Sequence, residues 1–191
     1  MNRTLMKRTL LSLATLLAVP ALHLLAQQKG AVNDKTKLAP YYPTPEIVVD
    51  KMLSLAGVKP GEKVYDLGSG DGRIPIAAAR KYKAQGVGVE LDESLVRQST
   101  ERIRTLGLTP SVKIIQGDLL LQDYTSADVL TIYLLPVAIE KVTPILEKQL
   151  KKGARVVAHD FEFFTWNPPA KIVDIDDDGE GRSHRLFLYR R

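Results

Sequence analysis

The sequence predicts an α/β domain built on a doubly wound sheet of seven strands that ends in an antiparallel hairpin. Three observations lead there. Lys63 to Lys83, KVYDLGSGDGRIPIAAARKYK, spells strand, glycine loop and helix. From that unit to His159, short β-rich runs alternate with helical apolar stripes, the pattern of βαβ units. After residue 170 the alternation stops, and two β runs, Lys171 to Ile175 and Arg185 to Tyr189, are joined by DDDGEGRSH, a hairpin-like connection.

The chain has 191 residues, enough for one such domain with extras and too few for a second catalytic domain. Cysteine is absent, which excludes a disulfide framework and a Cys-based metal site. The three histidines, His23, His159 and His184, are too scattered in sequence to suggest a metal site, so no metal is implied. The net charge is +5, but Arg3, Lys7 and Arg8 lie in an N-terminal stretch without acids; the remaining 24 basic and 22 acidic side chains leave only +2 on residues 27–191. No Lys/Arg block is interleaved with aromatics, and nucleic acid is not an expected partner.

Met1 to Ala26 carries those three bases and then an apolar run from Leu10 to Ala26. Seventeen residues sit at the short end for a membrane span, and Ala21 and Ala26 suit a cleavage site. The stretch reads as an export signal or a membrane anchor, with the cleaved form preferred, and places the protein outside the cytoplasm (periplasmic) or anchored through residues 10–26. Residues 27–37 form a polar linker, and 38–191 the folded domain.

Within that domain, Leu38 to Pro45 (LAPYYPTP) is extended, with Thr44 as the expected N-cap of a helix that begins at Pro45, carries Ile47, Val48, Met52 and Leu55 at helical spacing and stops at Gly57. Val64 to Leu67 is the first strand and Ile74 to Ala79 opens an Ala-rich helix. Gln85 to Leu91 is the second strand, followed by an amphipathic helix over Ser94 to Leu106. Val112 to Gln116 is the third strand, and the link from Asp118 to Ala127 is too short for a long helix. Ala127 to Leu135 is the fourth strand; the helical stripe after it (Val137, Val142, Ile145, Leu146, Leu150) must kink or restart at Pro144. Ala154 to His159 is the fifth strand, and FEFFTWNPP from Phe161 to Pro169 is aromatic and proline-rich where a crossover helix is the norm.

The chemistry concentrates in the loop. Gly68, Gly70 and Gly72 let backbone N–H groups approach a ligand at a helix N-terminus, which suits a carboxylate or phosphate. Asp66 decides between them. A dinucleotide fingerprint is G-x-G-x-x-G, whereas here a carboxylate precedes alternate glycines; it repels a pyrophosphate and welcomes an ammonium. S-adenosylmethionine carries an ammonium beside a carboxylate. Glu90, 22 residues past Gly68, stands at a strand end where an acid accepts ribose hydroxyls, a logic shared with nicotinamide sites.

The spelling Asp66-x-Gly68-x-Gly70-x-Gly72 resembles motif I of the seven-strand, Rossmann-like (class I) S-adenosylmethionine-dependent methyltransferases. PYYPTP, DLGSGDGRIPIAAA, GVELDESLV, GD, YLLP, GARVVAHDFEF and a Trp166-x-Pro168 pair together resemble the small family of mitochondrial lysine methyltransferases that act on ATP synthase subunit c and the adenine nucleotide translocase. That resemblance implies methyl transfer from S-adenosylmethionine to a protein lysine. Asp66 and the three glycines would hold the amino-acid end of the donor, Glu90 the ribose and Asp118 the adenine amino group, with Tyr42 and Thr44 closing the pocket. Tyr133, in Tyr133-Leu134-Leu135-Pro136, replaces the Asn/Asp-Pro-Pro-aromatic motif of nucleobase and glutamine methyltransferases and would orient the amine; His159, Asp160, Glu162 and Trp166 are further substrate contacts. Two alternatives remain open: a nicotinamide-dependent oxidoreductase, which shares Glu90 but not the glycine spacing or hairpin, and a non-catalytic exported nucleoside-binding module, motivated by a leader that would carry the protein away from the donor.

Overall fold

The structure is a computed structural model and describes residues 41–191; the leader and the linker lie outside the described residues. Seven strands form one sheet in the order β3-β2-β1-β4-β5-β7-β6. They are β1 (Lys63–Leu67), β2 (Gln85–Glu90), β3 (Val112–Gln116), β4 (Val129–Ile132), β5 (Arg155–His159), β6 (Lys171–Ile175) and β7 (His184–Arg190). The first five run parallel; β7 enters antiparallel beside β5, and β6 pairs antiparallel on the outer side of β7. Helices α1 (Glu46–Ala56), α2 (Arg73–Tyr82), α3 (Glu93–Thr105) and α4 (Pro136–Gln149) complete the described elements with two single turns of 3₁₀ helix. Among the described residues no helix is long and apolar enough to cross a membrane.

Strand alternation sorts the core into two layers. Tyr65, Leu67, Leu130, Ile132, Val156, Ala158, Phe187 and Tyr189 face α4 through Ala138, Ile139, Val142 and Leu146. On the opposite face Val64, Val129, Val157, Leu186 and Leu188 meet α1 through Val48, Val49, Met52 and Leu53, and α2 through Ile74, Ala77 and Ala78. Continuing that second register to the strand ends places Asp66, Thr131, His159 and His184 on the α1–α2 side. The polar residues therefore cluster where parallel strands terminate, the crevice in which open α/β sheets bind ligands.

Several elements differ from expectation. Helix α1 starts one residue late: its first intrahelical bond runs from Val49 N to the Pro45 carbonyl (2.9 Å), so Pro45 is the cap and makes no side-chain bond. The Thr44 hydroxyl is directed elsewhere, 3.5 Å from His159 Nδ1. Strand β4 is shorter than Ala127 to Leu135, because Ala127 closes a turn onto the Tyr124 carbonyl (3.0 Å) and residues beyond Ile132 leave the sheet for α4. Helix α4 neither stops nor restarts at Pro144. Pro144 lies on its exposed side while the inner stripe stays packed on the sheet, and tertiary burial outweighs the roughly 3 kcal/mol cost of an interior proline. Strand β7 begins one residue earlier than the pattern indicated, at His184.

Candidate active site

The loop after β1 turns sharply enough that Gly68 N and Ser69 N both donate to the Val89 carbonyl (2.9 and 3.0 Å). Gly68, Gly70 and Gly72 all have positive φ (75°, 53° and 75°), backbone that side-chain-bearing residues rarely adopt. Glu90 organises the bend. One of its carboxylate oxygens accepts from Gly70 N and the other from Asp92 N, each at 2.8 Å, and each oxygen keeps a second lone pair for an outside hydroxyl. Asp118, just past β3, uses Oδ1 to cap the 3₁₀ turn Leu119–Leu121 through Leu120 N (2.8 Å), with Oδ2 left over.

Asp66 lies below the loop, 4 % exposed, and accepts a hydrogen bond from Thr131 Oγ1 at 2.7 Å. Burial pushes its carboxyl up to about 7; the Thr131 hydroxyl opposes this, and the negative charges of Glu90 and Asp71 reinforce it. Asp71 differs. Arg73 binds both of its oxygens (2.9 Å each, through Nε and Nη2), and Arg102 Nη1 adds a third contact at 3.1 Å. Burial would raise Asp71, but the Arg73 hydrogen bonds and charge outweigh it and hold the carboxyl below the usual range. The same Arg73 donates from Nη1 to the Thr44 carbonyl (2.8 Å), stapling the segment before α1 to the glycine loop.

That staple changes which tyrosine meets the loop. A Cβ built on Gly70 would stand 2.5 Å from Cε2 of Tyr41, so the Tyr41 ring covers the loop. Tyr42, expected there, instead accepts a hydrogen bond from Arg182 Nη1 (2.7 Å) in the β6–β7 connection. Thr44 is buried and turned toward His159.

At the other end of the crevice, the Tyr133 ring lies 3.9 Å from the His159 ring and 6.3 Å from that of Phe161, centroid to centroid. Burial and then the neighbouring Asp160 raise the Tyr133 phenol, keeping it protonated across the neutral range. Burial is also the main cause that lowers His159, against the opposing charge of Asp160. The two strand-end histidines, judged too scattered in sequence, touch in space: His159 Nε2 is 2.9 Å from His184 Nδ1 because β5 and β7 are adjacent. Asp160, at φ 60°, joins them. Trp166 does not. Its indole stacks on Phe163 (4.2 Å) and donates to Glu147 Oε1 on α4 (2.8 Å), so it belongs to the opposite layer; the charge of Glu162 acts on Tyr189 in that same layer.

Sequence reasoning missed Tyr41, Ser69, Asp71, Arg73 and Thr131. The signal for Thr131 was available, since it and Tyr133 are the polar residues of ADVLTIYLL in the register that also carries Asp66. The others depend on tertiary contacts.

The profile of the ANTKMT methyltransferase domain matches residues 66–170, from the loop acid to just before β6. The chain belongs to that methyltransferase family. It is 41 % identical over 151 residues to a protein-lysine N-methyltransferase of Saccharolobus islandicus, covering 78 % of this chain and 92 % of that protein. It is 32 % identical over 174 residues to the adenine nucleotide translocase lysine N-methyltransferase of Mus musculus, covering 91 % and 72 %. Among solved structures, an RNA methyltransferase from Salinibacter ruber in complex with S-adenosyl-L-homocysteine is 42 % identical, with a TM-score of 0.73 over 78 % of this chain and 93 % of that one. The C-terminal domain of a precorrin-6Y C5,15-methyltransferase from Rhodobacter capsulatus shares the fold alone (16 % identity, TM-score 0.65, 83 % and 96 % covered).

The protein is an S-adenosylmethionine-dependent methyltransferase. These likenesses favour neither the nicotinamide oxidoreductase nor the binding module. Its loop fits that donor on chemical grounds. The buried Asp66 carboxylate is bonded to a hydroxyl and flanked by further acids, so a ligand's ammonium is the counter-charge it can accept. The Ser69 hydroxyl is buried beneath the loop with no hydrogen-bond partner, a polar group of the kind that binding sites leave unsatisfied.

Proposed function

We propose that this methyltransferase acts on lysine side chains of protein. The observation that carries the reading is the 41 % identity to a protein-lysine N-methyltransferase over 92 % of that protein's length. Asp66 takes the donor's ammonium, and the backbone of Gly68, Gly70 and Gly72 admits its amino-acid end. Glu90 accepts the ribose hydroxyls on its two free lone pairs, and Asp118 Oδ2 accepts from the adenine amino group. Tyr41 closes over the loop. S-adenosylmethionine supplies a methyl group on a sulfonium, and that chemistry needs an uncharged amine approaching in line.

Tyr133 meets that need by orientation. Its phenol remains protonated and offers an oxygen lone pair to an amine N–H, while Phe161 and His159 wall the approach and exclude water. Most of the rate then comes from placement and desolvation.

A second reading, an RNA acceptor, is favoured by the Salinibacter ruber structure. Charge opposes it. Residues 27–191 carry only +2, and Asp160, Asp174 and Asp176 line the groove beside the acceptor end, where they repel phosphates. The two readings separate when the purified chain is incubated with tritiated-methyl S-adenosylmethionine and membrane and soluble cell fractions. Label should enter protease-sensitive material and appear as methyl-lysine on amino-acid analysis. Label released by ribonuclease and indifferent to protease would replace this reading with the second.

A further inference from the structure

The contact between β5 and the start of β7 brings together three side-chain atoms that have no part in holding the methyl donor. His159 Nε2 is 2.9 Å from His184 Nδ1, His184 Nδ1 is 3.0 Å from Asp160 Oδ2, and Asp160 Oδ2 is 3.3 Å from His159 Nε2. They form a triangle. An ion bonded to imidazole nitrogen and carboxylate oxygen at about 2.0–2.1 Å sets neighbouring donor atoms about 3.0 Å apart on an octahedral face and about 3.4 Å apart on a tetrahedral one. The three edges span those values.

The atoms behind the triangle are arranged to aim it. His184 Nε2 lies 3.2 Å from Oδ2 of the buried Asp178, which Arg182 Nε (2.9 Å) and Glu180 N (2.8 Å) fix in place. A proton held there leaves the lone pair of Nδ1 pointing inward, the carboxylate–histidine relation typical of metal-bound imidazole. The Thr44 hydroxyl stands behind His159 Nδ1. Asp160 sits at a left-handed φ of 60°, uncommon for a residue with a side chain, and its Oδ1 accepts from Arg185 N (2.9 Å), which turns Oδ2 toward the rings. With Nδ1 unprotonated, Asp160 Oδ2 and His184 Nδ1 are two acceptors facing each other at 3.0 Å. A proton on His159 Nε2 makes donor–acceptor contacts of the two edges that meet there and leaves the Asp160–His184 edge; a cation standing over the triangle relieves all three.

We propose that His159 Nε2, His184 Nδ1 and Asp160 Oδ2 bind a divalent transition-metal ion of the zinc class through one face of its coordination shell. A groove of about 380 Å³ lined by Asp160, Asp174, Asp176, Ser183, His184 and Arg185 gives the ion its entry path. Bound there, it ties the end of β5 to the start of β7 beneath the Tyr133 ring. The site stands independently of which acceptor is methylated.

The test uses the full chain without an affinity tag, stripped with chelator and titrated with Co²⁺. Visible d–d absorption should saturate at one equivalent and vanish on adding Zn²⁺. His184→Gln and Asp160→Asn should each weaken Co²⁺ binding at least tenfold, and Asp178→Asn, which removes only the orienting carboxylate, by about 10–100-fold. Circular dichroism establishes that each variant is folded, and Asp160→Asn, at the least buried of the three ligands, carries the test should His184→Gln fail to fold. Absence of the bands at millimolar Co²⁺, or equal affinity in the parent and in folded Asp160→Asn, would overturn the site and assign the triangle to a shared proton.

Discussion

Asp66 is held in tension between folding and binding. Its carboxyl is raised to about 7 by burial, above its value in an unfolded chain, so the folded protein retains a proton that the unfolded chain releases. Stability of the free protein therefore falls as pH rises from about 4 to about 7, by about 1.4 kcal/mol per pH unit from this group, and the loss is complete above 7. Donor binding runs the other way, because an ammonium needs the carboxylate charged. Asp66→Asn should raise the melting temperature of the ligand-free protein at pH 8, with the gain fading toward pH 4. It should also weaken S-adenosylhomocysteine binding by about 1.5–3 kcal/mol in calorimetry. Parent affinity should improve from pH 6 to pH 8 while the variant's stays flat; parallel pH profiles would separate Asp66 from the ammonium. Tyr133→Phe removes one oxygen and leaves the ring stacked on His159. A fall of about tenfold in kcat with unchanged S-adenosylhomocysteine affinity would match an orienting phenol, and an unchanged kcat would discharge Tyr133 from that role. The loop acid and glycines were legible because their chemistry is local, contained in seven consecutive residues. The exchange of Tyr42 for Tyr41 was not, because it depends on the reach of Arg73 from α2 back to the Thr44 carbonyl.

The elements were legible where one physical cause acts alone. Strands β1, β2, β3, β5 and β6 are apolar runs bounded by glycine or charge, and they fall within a residue of expectation. Misreadings arose where two causes compete. At α4, intrinsic propensity argued for a break at Pro144, and the packed face of Ala138, Ile139, Val142 and Leu146 overrode it. At β4, hydrophobicity extends past both ends of the strand because Ala127 and Leu134 are buried without pairing. Close approach of α2 to β2 at Gly86 has its own consequence. A Cβ there would collide with the Pro75 carbonyl, which is backbone and cannot rotate away. Gly86→Ala should cost about 1–3 kcal/mol in denaturant unfolding, and a loss below about 0.5 kcal/mol would mean that α2 shifts freely over the sheet.

Over the whole described domain, the sheet and its terminal hairpin follow from alternation, but the seat of β7 between β5 and β6 does not. Only the antiparallel register that sets His159 opposite Leu186 brings residues 159, 160, 178 and 184 together, and no short-range pattern reports that register. The leader and linker stay expectations of composition. The split in sequence between the two ends of the crevice also bears on how such proteins diversify. Tyr41 and Thr131 apart, the side chains proposed to hold the methyl donor are encoded between residues 66 and 118, whereas the wall proposed to face the acceptor is encoded from residue 133 onward, on strands that the first segment does not pair with except through β4. Mutation can therefore explore new targets in the later stretch while the earlier one is left untouched. Inheritance of one cosubstrate alongside drift in clientele is then an expected history for an enzyme threaded in this order.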